Sequence, residues 1–395
     1  MIAVLFGTFD SRHAANVLLR ADLIRARVEV RLCHEPLWQA TRDKHAGYFR
    51  PASLLRLGWQ WLRAALKLAL RFRHAAAGAD CVLVGFNGQL DVLLARLLAG
   101  RRRLVFVPLV TLTETLVEDR GVYIREGLGA RLLRFADRLS LRAADRVVVD
   151  TRTHADWIVR ELGIDPEQLR VCPLGAEDFF LPATHAGAEA LAPDPVTERA
   201  SGVGERLAAV AGQTRGATLR VLGYSSFLPL HGFDVVAAAA RLLAADEGIA
   251  IELVGSGPEH AKVVAQAGDL PQVDFIDWLP YPDLLERIRR ADVVLGIFGS
   301  SVKARMVIPN KVYQAAQIGR AVLTADTPAI REIFVPGESI EVCEPTAEAL
   351  AGALRALAAE SFRLAGLGEA GRLAVARSAG PKRRAALLRE ILEGA

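Results

Sequence analysis

Short apolar runs alternate with longer segments of helical period along most of the chain. Strand-forming runs stand at 2–6 (IAVLF), 28–32 (VEVRL), 81–85 (CVLVG), 104–107 (LVFV) and 146–150 (RVVVD). Between them, apolar residues recur at helical spacing over 12–26, 88–99, 123–142 and 152–162. Short apolar runs that alternate with helical segments predict βαβ units around a parallel sheet covered on both faces. Residues 183–218 break the pattern: they are rich in Ala, Gly, Pro, Thr and charge and hold no strand run, so they read as a linker with a short helix near 204–212. The alternation then resumes, with strands at 219–223, 249–255, 273–276, 292–298, 321–325 and 339–342. Helices are expected from Gly232 to Ala245, after Pro258, near 282–290 and from Pro309. The fold class is therefore α/β, with two doubly wound Rossmann-like domains, 1–183 and 219–377, facing a central cleft across the linker 184–218. A C-terminal helix at about 378–395 is placed to pack back on the first domain.

Composition narrows the function classes. At 395 residues the chain exceeds the roughly 100–200 residues of one domain, in keeping with two cores. Hydrophobic residues at 52% and charged residues at 24% exclude a disordered chain. The net charge of +4 is mild and no basic tail is present, so nucleic acid is not an expected partner. Cys33, Cys81, Cys172 and Cys343 are far apart, without zinc spacing or a disulfide framework, which points to a reduced, cytoplasmic setting and no metal. Residues 2–6 read as a core strand and not a signal peptide, and no uncharged apolar run is long enough for a membrane span.

Open α/β sheets bind ligands beyond the carboxyl ends of their strands. Three loops of the second domain lie there. One is 224–234, with His231 and Gly232 just ahead of a helix; the next is Gly255-Ser256-Gly257-Pro258. The third holds Ser300, Ser301, Lys303, Arg305, Pro309, Asn310 and Lys311, with no acid between Asp292 and Asp326. Each loop brings unpaired backbone N–H groups and the positive end of a helix to one sheet edge, the usual arrangement for holding phosphate. Singly, each also reads as a tight turn or a solvated charge run; their convergence predicts a phosphate-bearing ligand. In the first domain, 7–13, 85–89 and 108–120 offer His13, Asn87, Glu114, Asp119 and Arg120 to the cleft. Asp10 or Glu114 fits a general base or a local cap or pair, and Asp119 with Arg120 fits a local ion pair.

Segment 50–74 contains no acid, and on a helix Arg56, Gln60, Arg63, Lys67 and Arg71 fall on one stripe with Trp59 and Trp61 beside it. Two readings fit: an interfacial helix meeting an anionic membrane surface, or a core helix with one wet face.

The string GSGPE (255–259), WLPY (278–281), ADVVLGIFG (291–299), IPNKVYQA (308–315) and AVLTADTPA (321–329) resembles the carboxyl half of the GT-B glycosyltransferases, most closely the large retaining family 4. Residues 145–151 (DRVVVDT) and 173–178 (PLGAED) resemble that family's last strand of the first domain and its interdomain turn. The resemblance implies a GT-B fold and transfer of a sugar from a nucleotide-sugar donor in the second domain to a glycan, lipid-linked or small-molecule acceptor in the first. No cofactor beyond the donor is implied. The family's ribose-holding Glu falls on Gln314 and its partner Glu on Met306, so the paired-glutamate motif is absent. The family's diphosphate-gripping Arg and Lys are missing from 224–231, where His231 lies nearest; Lys303, Arg305 and Lys311 are the candidate replacements. Trp278 fits either a nucleobase contact or a partly buried structural Trp. The chain contains no Asp-x-Asp triplet, which favours stabilisation of the leaving diphosphate by the protein's own charges. Two rival readings are a sugar-nucleotide epimerase of the same fold and a non-catalytic binding protein.

Overall fold

The computed structural model describes residues 1–37, 51–180 and 218–394, with side chains of the helix that opens at Pro51 described from Leu55 onward. Of the linker expected at 184–218, all but residue 218, its short helix included, lies outside the described residues. Strands β1 (Ile2–Gly7), β2 (Glu29–His34), β3 (Cys81–Val84), β4 (Arg103–Phe106), β5 (Arg146–Val149) and β6 (Leu169–Val171) form one parallel sheet in the order β2-β1-β3-β4-β5-β6. A second parallel sheet has the order β12-β11-β10-β7-β8-β9. Its strands are β7 (Leu219–Tyr224), β8 (Ile249–Val254), β9 (Val273–Ile276), β10 (Val293–Leu295), β11 (Ala321–Ala325) and β12 (Glu341–Cys343). Two doubly wound Rossmann-like domains result. The three-residue β6 escaped the periodicity because so short a run, Leu-Arg-Val, has no repeat to display.

Residues of the central strands are buried from both sides because helices cover both faces; all four residues of β3 are buried, whereas the edge strands β2, β9 and β12 are only partly so. On the first sheet, helices α2 (Pro51–Ala75), α3 (Asp91–Ala99), α4 (Leu128–Ala143) and α5 (Arg152–Trp157) lie on one face. Their inward residues Leu68, Phe72, Val92, Ala95 and Leu141 share one core with Val4, Phe6, Val82 and Val84. The opposite face carries α1 (Ala14–Arg25) and, from the other end of the chain, the helix Pro381–Glu393, whose Leu388, Ile391 and Leu392 pack with Ala3, Leu5 and Leu23. Arg384 of that helix is buried and forked onto Asp22, at 2.8 and 3.1 Å. The second sheet is covered by α6 (Phe233–Leu242), α7 (His260–Ala267), α8 (Tyr281–Arg290), α10 (Asn310–Ile318), α11 (Ala347–Ala359) and α12 (Arg363–Ser378), while the short α9 (Val302–Met306) sets Ala304 and Met306 into the first domain's core, and Pro381–Glu393 is α13.

The order in which strands are added reverses in the second sheet between β7 and β10: β7 leads outward to β8 and β9, and the chain returns to β10 on the other flank, all strands staying parallel. A crevice opens at the carboxyl ends of strands at such a point. Direct contacts tie the two domains together beside it. The Thr151 hydroxyl donates to the Met306 carbonyl, and Glu332 accepts from the backbone N–H groups of Arg152 and Thr153 at 2.7 and 2.8 Å. Among the described residues no helix is long and apolar enough to cross a membrane.

Candidate active site

A pocket of about 400 Å³ occupies the crevice, walled by Tyr224, Ser225, His231, Gly255, Ser256, Trp278, Tyr281, Pro309, Asn310, Lys311 and Gln314 among others. A larger and more open depression of about 660 Å³, beside Met1, Arg103 and Leu392, sits at the amino ends of the first sheet's strands, away from any of these loops. The crevice exists because glycines let its loops press together. A Cβ on Gly255 would lie 1.9 Å from the Ser225 carbonyl oxygen, and Gly255 has φ +122, a conformation open to glycine and to little else. One on Gly232 would lie 2.3 Å from the Phe298 carbonyl carbon, where the loops after β7 and β10 join through Phe298 N–H to His231 O.

Lys311 dominates the pocket's electrostatics. It stands in the first turn of α10, is 5% exposed, and its Nζ has no hydrogen-bond partner. The ammonium lies 4.9 Å from the centroid of the Phe233 ring. Burial pushes its pKa down to about 7. A buried ammonium without a counter-charge is costly, and an anion delivered to the pocket relieves the cost. The helix N-terminus around it acts in the same sense. Beside Lys311, the Tyr224 hydroxyl donates to Gln314 Oε1 at 2.9 Å, while Gln314 Nε2 and Asn310 Nδ2 donate to the two Glu177 carboxylate oxygens at 2.9 and 3.2 Å. Burial raises the Glu177 pKa against those hydrogen bonds. His231 Nδ1 accepts from the Leu228 N–H at 3.1 Å. Burial, then the charges of Lys311 and Lys303, hold its pKa well below the usual value, so the imidazole is neutral with its proton on Nε2. Trp278 is 66% exposed on the rim, which removes the partly buried structural reading.

The other two cations of the loop go elsewhere. Lys303, on the short α9, reaches across to the first domain, donating to Thr115 Oγ1 at 3.0 Å with Glu114 Oε1 at 3.8 Å. Ser301 caps α9 through the Ala304 N–H and donates to Asp119 at 3.0 Å. Arg305 and Ser300 are exposed, and neither they nor Gly232 and Gly257 line the pocket. The expected convergence of three cations thus reduces to one in the pocket, because the α9 turn aims Lys303 across the domain boundary and Arg305 into solvent.

Glu114 is fully buried, one oxygen accepting from His154 Nε2 at 2.7 Å and Thr111 Oγ1 at 3.1 Å. His154 Nδ1 meets Asp150 at 2.9 Å. Burial alone lowers the His154 pKa, but the two carboxylates outweigh it and hold it up to about 10, so the ring is an imidazolium. Burial likewise works against the Glu114 charge, yet His154 and Lys303 keep its pKa below the ordinary value. A carboxylate so held is a poor proton acceptor, and its place as an open cleft base is not where the structure puts it. Asp10 accepts from the Arg12 N–H at 3.0 Å, a local turn contact.

Sequence comparison bears on both domains. A family described as "Glycosyl transferase 4-like domain" matches residues 14–175, and one described as "Glycosyl transferase-like" matches 235–390. The chain belongs to the GT-B glycosyltransferases. No curated protein matches at a significant level. Among solved structures, sucrose-phosphate synthase from Thermosynechococcus elongatus superposes with TM-score 0.68 at 16% identity, over 100% of this chain and 99% of that one. Anabaena HepE, solved in complex with UDP-glucose, gives 0.63 at 13% over 100% and 99%. WaaG, a glycosyltransferase involved in lipopolysaccharide biosynthesis, gives 0.61 at 13% over 100% of both chains. At these identities the likeness is one of fold.

Two groups of this glycosyltransferase went unnoticed in the sequence. His154 lies four residues after Asp150, one helical turn on, a spacing that carries meaning only once Glu114 is known to face it. Glu177 lies within the PLGAED turn, but its partners Asn310 and Gln314 are more than 130 residues distant.

Proposed function

We propose that the glycosyltransferase takes its sugar from a nucleoside-diphosphate sugar bound in the second-domain pocket, without a metal ion, and transfers it with retention to a hydroxyl held against the first domain. The observation that carries the reading is Lys311, a buried ammonium with no counter-charge, set on a pocket wall at a helix N-terminus. The base is read as stacking toward Trp278, with the Asn310, Gln314 and Glu177 network bordering the ribose. HepE, of the same fold, was solved with UDP and with UDP-glucose, which supports a donor of this class.

In the step proposed, the bond from the anomeric carbon to the β-phosphate oxygen breaks with its electron pair going to that oxygen, and the bond to the acceptor oxygen forms on the same face of the sugar. The acceptor's proton passes to the departing phosphate oxygen, since Glu114 is committed to His154. Lys311 and the α10 N-terminus neutralise the charge that develops, in a site already organised for it. Lys303 and Glu114 brace the two domains around the step.

The test is thermal-shift and calorimetric titration with UDP, GDP, TDP and ADP and their sugars, with a chelator present, followed by turnover assays with the donor that binds. Stabilisation by one nucleoside diphosphate, lost in Lys311→Met, is the expected result. Equal binding by wild type and Lys311→Met, or binding that requires a divalent ion, overturns the assignment.

A further inference from the structure

An amphipathic helix on a sheet ordinarily turns polar residues to solvent opposite its buried stripe. Helices α2 and α4 carry a second apolar stripe there, beside their exposed cations. Along α2, Leu55, Trp59, Leu62, Leu66 and Leu70 are all exposed, Leu70 to 74%, and follow one another at steps of four, three, four and four. This stripe runs along the side away from the buried Ala65, Leu68 and Phe72. On α4 the exposed residues are Leu128, Leu132, Phe135 and Leu139, at steps of four, three and four, opposite the buried Ala130, Asp137 and Leu141. Helix α3 packs between the two and contributes Leu97, 83% exposed, with Leu90 just before its first turn. The three helices lie on one side of the first sheet, so their stripes form one outward surface.

Exposed apolar residues scattered singly are normal; contiguous stripes on neighbouring helices mark an interaction surface. Charge chooses the partner. Arg56, Arg63, Lys67 and Arg71 run alongside the α2 stripe, with Arg63 over the Trp59 ring at 5.8 Å, and Arg131, Arg138 and Arg142 run alongside that of α4. Helix α2 has no acid, and the acids of α3 and α4 are turned inward, Asp91 onto Thr8 and Trp61, and Asp137 onto Thr113. Glu35 lies beneath the α2 cations, accepting from Lys67 and Arg71. A second copy of the same surface would set cation against cation. An anionic bilayer instead accepts the leucine stripes into its interfacial layer and the cations among its headgroups.

We propose that α2, α3 and α4 form a platform that docks the first domain flat on an anionic lipid bilayer. The loop 120–127, which leads from the cleft-side segment 114–119 into α4, carries Tyr123 and Ile124 exposed beside the platform. Docking therefore holds the first-domain side of the cleft against the lipid surface. This proposal requires no donor or acceptor assignment and stands apart from the pocket reading.

The full chain is tested by vesicle flotation against phosphatidylcholine alone and phosphatidylcholine with phosphatidylglycerol, at low and high salt. Wild type is expected to float with the anionic vesicles and to be released by salt. The double variant Leu132→Glu/Phe135→Glu, at exposed positions that leave the core intact, is expected to lose roughly ten-fold or more in partitioning while keeping its circular dichroism and thermal midpoint. Arg63→Glu/Lys67→Glu is expected to lower binding to anionic vesicles without changing the weak binding to neutral ones. Failure of wild type to float, or unchanged flotation by Leu132→Glu/Phe135→Glu, overturns the proposal. So does a wild-type dimer in solution that the double variant dissociates, in the absence of vesicle binding.

Discussion

Replacing Lys311 by Met keeps the length of the side chain and removes its ammonium, which separates what the residue costs the fold from what it does for a ligand. Burial lowers its pKa from 10.5 to about 7. Between those values the unfolded chain holds the proton and the native protein sheds it, so the unfolded state binds more protons and stability rises with pH. The Lys311 contribution to that rise is about 2 kcal/mol between about pH 7 and about pH 9, and its full cost near pH 7 is about 4 kcal/mol. Empty Lys311→Met is therefore expected to be more stable than wild type near pH 7, by a few kcal/mol at most, with the gain shrinking toward pH 9. A diphosphate in the pocket supplies the missing counter-charge and restores the lysine proton. Nucleotide binding near pH 8 should then take up a proton, visible as a calorimetric heat that varies with the ionisation enthalpy of the buffer. Lys311→Met should show neither the nucleotide affinity nor the proton uptake. Chemical denaturation at several pH values and titration in two buffers measure all of this. A Lys311→Met protein that is less stable than wild type near pH 7 and binds nucleotide equally well would refute the reasoning.

Removing His154 leaves Glu114 and Asp150 buried without their imidazolium, so His154→Leu should cost roughly 3–5 kcal/mol by denaturant titration. Its folded pKa of about 10 lies above the ordinary 6.5, so the stabilisation it gives is fully present below about pH 6.5 and fades as pH rises through about 10, the opposite sense to Lys311. Gly255→Ala drives a methyl into the Ser225 carbonyl and is expected to destabilise by about 2 kcal/mol or more while displacing the loop after β7, so nucleotide affinity should fall with thermal midpoint. Arg384→Ala leaves the buried Asp22 with Arg25 alone, at 3.5 Å; a loss of roughly 3 kcal/mol and faster proteolysis at the C-terminal helix are expected, and limited proteolysis checks it.

Much of this architecture is written in local pattern. Apolar runs of four to six residues between helical segments predicted two parallel sheets, because a strand covered on both faces is apolar along most of its length. Loops at strand ends, with their glycines and the Pro309–Lys311 helix start, marked the edge where the pocket lies for the same local reason: tight strand-to-helix turns need those residues. What local pattern does not carry is direction across the chain. Lys303, Arg305 and Lys311 are equivalent as a run of charges, and only the folded turn of α9 and the start of α10 send one toward Thr115 and Glu114, one to solvent and one into the pocket. Glu177 gains meaning from Asn310 and Gln314, and His154 from Glu114, through contacts that the packing of separate elements makes. The α2 segment showed its cations in sequence, but whether its leucines turned in or out depended on which side met the sheet. Sequence determined the elements and the sheet edge, since periodicity and turn chemistry act within a few residues. Tertiary structure decided which charges are buried, paired or left without a partner, because burial and pairing depend on residues brought together from distant parts of the chain.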